Sequence, residues 1–294
     1  MLSLRRAVSA SLALLSVAIP SAAAHAQTVG WTFTTNLTID SASGHRSSMA
    51  MRTQATADKV RMEFVQVSGS GDAGQAEGMY MVLTPRDSTM LMVMPQQHMA
   101  TITGTGLLSM AKPAMAAFKH HITRKSLVDL GPGERLLGHA THRYRVTTSE
   151  TSDISLGGQT CTRISDNDTE LWIAPDVDIQ PALQAAATQY GMVGIGDVQI
   201  DTTGSGPVLP KGTALRTILK TTTQPRSGAP VTMSTKIEIV ELSHGPIDDA
   251  LFTAPPDYKT MDTRAMMASV PAGMMDSIMN AQGSAMTKKL CDSQ

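Results

Sequence analysis

The chain has 294 residues and a formal net charge of −1 at neutral pH, and this balance gives no indication of binding to nucleic acid or to an acidic membrane surface. Aromatic residues make up 3% of the sequence, whereas methionine occurs 21 times. Methionine must therefore supply much of the core volume, and it packs adaptably rather than rigidly. We see no convincing linker, so the length predicts one large domain behind a short leader.

The first 26 residues have the pattern of a secretory leader. Arg5 and Arg6 form a positively charged N-terminal region, and a short apolar run follows it. Ala24 and Ala26 are the small residues of a cleavage site. We predict a cleaved signal peptide over residues 1–26, a mature start near Gln27 and a periplasmic or secreted protein. No later stretch is long and apolar enough to cross a bilayer.

The mature chain begins with alternating strands. WTFTTNLTID, residues 31–40, places its large apolar side chains on one parity, which is typical of a half-buried antiparallel strand. Two more alternating runs follow, joined by a turn near residues 57–58. Pairing across this turn predicts that Met51 lies opposite Phe64 and Thr53 opposite Met62.

The next hairpin is apolar on both faces. Pro85 opens a turn, and any even-length loop there pairs three sets of residues on one face, namely Leu83 with Met90, Met81 with Met92, and Met79 with Met94. The opposite face holds Tyr80, Val82, Leu91 and Val93. Such a hairpin must be covered on both faces, which favours a curved sheet with material inside and outside.

Helices and further strands complete the pattern. Helices are predicted over residues 107–121, over residues 181–191 and in the methionine-rich tail that begins at residue 262. The remaining segments predict more strands, for a total of about ten in long antiparallel runs, and residues 166–170 predict an acidic turn rather than a calcium loop. Cys161 and Cys291 are candidates for a disulfide in an oxidising envelope, with two unpaired thiols as the alternative.

Catalytic and metal chemistry lack a convincing pattern. His139 and His142 would point to opposite faces of a strand, which prevents them from sharing a metal ion. The methionines of the tail could hold cuprous ion, but their helical spacing favours a packed apolar face. We therefore expect a protein that is not an enzyme and has no cofactor or metal.

Three phrases carry a family resemblance. They are DKVRMEF with the later MYMVLTP, then LWIAPDVDI, residues 171–179, and ELSHGPIDDALFTAPPDYKTM, residues 241–261. In the last phrase a strand leads to a short helical turn, an exposed phenylalanine anchor at Phe252, a proline pair and a tyrosine. Over residues 30–260 the chain resembles the periplasmic lipoprotein-carrier superfamily (LolA/LolB-like), and within it an uncharacterised family of exported bacterial proteins.

The resemblance implies a mainly β (α+β) fold. The expected architecture is a curved antiparallel half-barrel sheet with two or three helices closing its concave side around an apolar cavity. Residues 27–260 would form this domain, and residues 261–294 would form a methionine-rich helical extension that covers the outer face or plugs the cavity.

The implied function is that of a cell-envelope protein that binds a lipid or a lipoprotein acyl chain. Methionine suits the wall of such a cavity because its side chain repacks easily. The predicted lining residues are Met51, Met62, Phe64, Met79, Met81, Leu83, Met90, Met92 and Met94. The alternative is a non-transporting sensor or scaffold whose half-barrel is filled by its own residues, such as Phe118 and Leu183, and which acts through an envelope protein partner.

Overall fold

The structure, a computed structural model, describes most of the chain after residue 26. The described ranges are residues 27–68, 76–87, 89–104, 118–156, 159–179, 210–225 and 228–264, with the backbone alone at 118–125, 152–156 and 159–160.

The described residues form one open, curved sheet of twelve strands. The strands are β1 (Gln27–Asp40), β2 (Arg46–Ala55), β3 (Val60–Ser68), β4 (Tyr80–Thr84), β5 (Thr89–Met94), β6 (Met99–Gly104), β7 (Phe118–Pro132), β8 (His142–Leu156), β9 (Gln159–Ala174), β10 (Thr213–Gln224), β11 (Val231–Asp248) and β12 (Lys259–Asp262). Their order across the sheet is β12-β6-β5-β4-β3-β2-β1-β11-β10-β9-β8-β7.

Two antiparallel meanders build this sheet, one from β1 to β6 and the other from β7 to β11. They join where β1 pairs with β11 over nearly its whole length. The predicted mainly β class and the long antiparallel runs are therefore confirmed. β12 departs from the pattern, because it pairs in parallel with β6 at the sheet edge, and the predicted domain boundary at residue 260 falls within it.

The predicted closure by two or three helices is not supported. The helical segments of the described residues are short 3-10 turns at Pro85–Asp87, Pro95–Gln97 and Asp249–Phe252, a single 3-10 residue, Ala76, and two helical residues, Thr263 and Arg264, at the end of the described chain. The helix predicted over residues 107–121 is wrong from Phe118 onward, because β7 begins there and pairs with β8. Ladder hydrogen bonds override a short apolar stripe of this kind. The rest of that helix, residues 181–191 with Leu183, and residues 265–294 lie outside the described residues.

The predicted acidic turn at residues 166–170 is also wrong. β9 runs through it without interruption, paired with β8 on one side and β10 on the other. Its carboxylates are accommodated because Arg143 and Arg145 on β8 form ion pairs with Glu170.

Side chains of the sheet divide into two faces, since alternate residues of a strand point to opposite sides. We call one the methionine face, because cross-strand pairing places on it Met49, Met51, Met62, Met81, Met90, Met92, Met94, Met99, Met233 and Met261. On β1–β6, β10 and β11 it carries no Asp, Glu, Lys or Arg except Asp248, the last residue of β11.

The opposite face, the charged face, holds the ion pairs. They include Asp40 with Arg46, Arg61 with Glu63, and Glu238 with Lys236 and Arg216. This segregation follows from the period-2 patterns of the sequence, in which polar and charged residues alternate with methionine, threonine and aliphatic residues.

Candidate functional site

The predicted register of β2 to β5 is confirmed. Met51 lies opposite Phe64 and Thr53 opposite Met62, and the next hairpin pairs Leu83 with Met90 and Met81 with Met92. The turn predicted at Pro85 is a 3-10 turn.

The ladder between β4 and β5 begins with Tyr80 opposite Val93. Met79 precedes it and Met94 follows it, so the predicted pair of Met79 with Met94 lies just beyond the ladder.

Across β3 and β4, Met62 also lies opposite Met81. The predicted lining residues of these strands therefore come together on one continuous surface.

Burial on this surface is graded. Met51, Met62 and Leu83 are buried in one cluster, together with Ala55 and Val60. The other predicted lining residues are half-buried, and Met81 and Met90 among them pack against the cluster. These half-buried residues are Phe64, Met79, Met81, Met90, Met92 and Met94. The buried part of the predicted site, which we call its closed end, lies mainly on β2 and β3. The half-buried part lies mainly on β4 and β5. An enclosed cavity stays a prediction.

The methionine face also contains aromatic and hydroxyl groups. Trp31 stacks on His244, with ring centroids 4.6 Å apart and planes inclined by 52°. Thr35 and Thr53 are buried in the rows that contain Met51 and Met62. The surface is therefore uncharged but not wholly apolar.

The charged face of β4–β6 is covered by the chain that follows β11. Tyr80, Val82, Val93 and Ala100 pack against Ile247 and Phe252 in one buried cluster. We call residues 249–258 the cover segment. Residues 261–294 were predicted to form an outer cover or a plug of the cavity, and beyond Arg264 they lie outside the described residues.

Phe252 is a correction to the sequence analysis. We predicted an exposed anchor, yet its side chain is 6% exposed and lies inside the cluster under the cover segment. The apolar outer face of the β4–β5 hairpin accounts for this burial, because a phenylalanine from the cover segment removes that face from water.

Arg61 fastens the cover segment to the sheet. Its Nη1 donates to the carbonyl oxygen of Leu251 at 3.1 Å, and its Nη2 donates to Glu63 at 2.9 Å. Its guanidinium lies 3.7 Å from the ring centroid of Tyr80. The Tyr80 hydroxyl donates to the Thr253 carbonyl oxygen at 3.2 Å, and burial raises the pKa of that phenol. Sequence analysis missed this arrangement, since the partners lie about 190 residues apart along the chain.

A second charged cluster surrounds Trp172. The guanidinium groups of Arg143 and Arg216 lie 5.0 and 5.5 Å from its ring. Hydrogen bonds from Arg145 and Arg143 lower the pKa of the Glu170 carboxyl. Each cation here has a carboxylate partner, so the cluster ties β8, β9 and β10 together.

Cys161 is buried and disulfide-bonded. Cys291 lies outside the described residues, so the predicted pairing of the two stays a prediction. Within the described ranges, no group of three His, Cys, Asp or Glu side chains is placed to hold a metal ion. Among those residues there is likewise no helix with the length and apolar character to cross a membrane.

No protein-family model and no curated protein matches the sequence. Solved structures to which the chain is similar include an uncharacterized conserved protein from Thermus thermophilus, with 13% identity, a TM-score of 0.33, and 78% of this chain and 90% of that chain covered. A LolA superfamily protein from Nitrosomonas europaea has 6% identity and a TM-score of 0.31, with 77% and 90% covered. An outer membrane lipoprotein-sorting protein domain from Vibrio parahaemolyticus has 10% identity and a TM-score of 0.30, with 76% and 88% covered.

One of these solved structures is therefore described as a LolA superfamily protein and another as a lipoprotein-sorting domain. At TM-scores near 0.3 these likenesses carry no argument about the activity of this chain, which has to be argued from its own residues.

Proposed function

We propose that this protein is an exported envelope protein that binds a lipid, or the acyl chain of a lipoprotein, on the methionine face. The observation that carries the proposal is the segregation of charge. Eight neighbouring strands present one face with a single terminal carboxylate, Asp248, while the other face holds the ion pairs. Water-soluble sheets commonly leave a polar face to solvent, so a broad uncharged face indicates that it contacts something apolar.

Methionine suits an acyl chain better than a β-branched residue would. Its unbranched thioether side chain adopts many conformations and can adjust to a flexible ligand without a fixed shape. Each methylene that the ligand buries contributes about 0.8 kcal/mol. A chain of roughly fourteen carbons therefore has about 10 kcal/mol of gross driving force before the losses of ligand and side-chain freedom are subtracted.

The graded burial suggests where the ligand would lie. Met51, Met62 and Leu83 are already buried and would form the closed end of the site. Met81, Met90 and Met92 are half-buried and would supply the surface that the acyl chain covers. The hydroxyl groups of Thr35 and Thr53, which lie opposite Met51 and Met62, would tolerate a polar group of the ligand.

The competing hypothesis is a sensor or scaffold whose methionine face is filled by the protein itself and which acts through an envelope partner. The near-complete burial of Met51 and Leu83 favours this hypothesis for the closed end, while the half-buried residues favour ligand binding elsewhere. The two hypotheses differ in whether the mature protein takes up an added lipid.

Native mass spectrometry of the mature protein purified from its own envelope tests the proposal. We expect adducts of lipid mass that detergent removes, and saturable uptake of a fluorescent fatty acid by the stripped protein. Bare protein in every preparation, together with no uptake of the fatty acid, would overturn the proposal in favour of the self-filled scaffold.

A further inference from the structure

Cys161 lies on the methionine face, although it is far from the methionines in sequence. β8 and β9 pair without a register shift from Gln159 to Ile173, so Cys161 and Leu171 point to the same side. Cross-strand partners then connect that side to the methionines, in the order Leu171, Thr217, Ile237, Leu37 and Met49.

The side chain of Cys161 is 1% exposed and disulfide-bonded, and the sequence contains one other cysteine, Cys291. We propose that Cys161 is bonded to Cys291 and that the methionine-rich tail, residues 265–290, lies across the methionine face as an internal occupant. The disulfide would hold the C-terminal end of the tail on the methionine face, because the side chain of Cys161 points to that face.

The length of the tail fits this path. The described chain ends at Arg264, just after β12, and nine inter-strand steps separate β12 from β9 in the sheet. At about 4.8 Å per step these amount to about 43 Å along the sheet. Along the strand direction, Cys161 also lies about 14 residues beyond the row that contains Met261, which adds about 46 Å, so that the two offsets combine to about 63 Å on a flat sheet. The 27 residues from 265 to 291 would span about 40 Å as one helix, which is too short, and about 90 Å when extended, which is long enough. The path therefore requires a tail that is largely extended. Curvature shortens the direct path, which passes over β6, β5, β4 and the strands beyond them.

The composition of the tail also fits the surface. From residue 265 to residue 287 it carries one charged side chain, Asp276. Its apolar residues recur at three- and four-residue spacings and include Met266, Met267, Val270, Met274, Met275, Ile278 and Met279. A chain of this kind has little reason to stay in water and would bury its side chains on the methionine face, which on β1–β6, β10 and β11 carries a single charged side chain, Asp248.

A tail in this position would regulate ligand binding. This part of the inference rests on the proposed function, because an acyl chain and the tail would compete for the half-buried Met81, Met90 and Met92. The docking of the tail does not rest on it and can be tested without any lipid.

Methionine oxidation measures docking directly, since peroxide converts accessible thioethers to sulfoxides at rates that follow exposure. The full-length mature protein is compared with its Cys161→Ser/Cys291→Ser variant, and sulfoxides are located by peptide mass spectrometry. We expect Met81, Met90 and Met92 to oxidise several-fold faster in the variant. Met261 and Met233, which are already 40% and 37% exposed in the structure, should change less than these three methionines.

A second variant covers the case in which the tail stays docked without its bond. Met274→Asp and Met275→Asp are added to the two serine substitutions to weaken its apolar contacts. Equal oxidation of Met81, Met90 and Met92 in all three proteins would overturn the docking. Alkylation of both thiols in the denatured, unreduced wild-type protein would overturn the disulfide pairing.

Uptake of a fluorescent fatty acid by the same three proteins separates this inference from the proposed function. Competition predicts tighter binding as the tail is released. Unchanged affinity despite faster methionine oxidation would reject the competition. Absence of uptake in every protein would reject the proposed function, while the oxidation result would still decide where the tail lies.

Discussion

Met81 on β4 lies directly opposite Met92 on β5, and both are half-buried on the methionine face. On the opposite face of the same two strands, Val82 lies opposite Leu91. Both side chains pack in the cluster under the cover segment. The same hairpin therefore contributes to two apolar layers. One is closed by the chain itself, and the other is the surface that we propose for lipid.

The first prediction concerns this methionine pair. Changing both Met81 and Met92 to Asp should abolish uptake of a fluorescent fatty acid, because two carboxylates would have to lose their hydration under the acyl chain. Asn36→Asp is the matched control, since Asn36 is exposed on the charged face of β1 and should leave uptake unchanged. Circular dichroism would establish that both proteins are folded.

A milder substitution protects this test against loss of folding. Met92→Leu keeps the apolar volume and should retain uptake with a modest change in affinity, since volume-conserving exchanges in apolar surroundings are usually tolerated. Full uptake by a folded Met81→Asp/Met92→Asp protein would show that this pair does not contact the ligand.

The second prediction concerns the disulfide of Cys161. Cys291→Ser should lower the free energy of unfolding by about 2–5 kcal/mol, because the bond would close a loop of roughly 130 residues in the unfolded chain. Urea denaturation of the two proteins measures the difference. A change below about 0.5 kcal/mol would indicate that Cys161 is not bonded to Cys291 in solution.

The parts of this fold that depend on local pattern could be predicted from the sequence. The alternation around Met51, Met62 and Met81 gave the correct register because short turns fix it within one hairpin. Contacts between distant segments carry no such signal. The parallel pairing of β12 with β6 joins residues that are about 160 positions apart, and nothing in the tetrapeptide KTMD indicates it.

The errors share a physical cause. Apolar spacing near Phe118 is compatible with a helix and with a strand, and the hydrogen bonds between β7 and β8 decide between them. Polarity at residues 166–170 indicated a turn, but inside the long strand arginines on β8 pair with Asp168 and Glu170. Ser149, also on β8, donates a hydrogen bond to Asp166. Phe252 was predicted to be exposed, because the sequence does not reveal which surface the cover segment reaches.

The third prediction concerns Arg61. Arg61→Leu should destabilise the protein by about 2–3 kcal/mol, since it removes hydrogen bonds to Leu251 and Glu63 and the contact with the Tyr80 ring. Hydrogen exchange of the cover segment should accelerate in this variant.

Arg52→Leu is the control for Arg61→Leu. Arg52 is exposed on the neighbouring strand, opposite Glu63, and its loss should change the unfolding free energy by less than about 0.5 kcal/mol. Similar effects of the two substitutions would show that the fastening of the cover segment does not depend on Arg61.

The fourth prediction concerns pH and Glu170. Hydrogen bonds from Arg145 and Arg143 lower the pKa of this carboxyl below its ordinary value of 4.5. A carboxyl whose pKa is lower in the folded state contributes stability above its unfolded pKa and loses it as the pH falls through the folded value. Glu170→Gln should therefore destabilise the protein at pH 7, by about 1–2 kcal/mol, and the difference from wild type should shrink below pH 4.5.

Urea denaturation at a series of pH values from about 7 down to about 3 measures this difference. Glu77→Gln, at an exposed position before β4, is the control and should follow the wild-type protein throughout. A Glu170→Gln difference that stays constant as the pH falls would show that the loss comes from altered packing around Trp172 rather than from the ionised carboxylate.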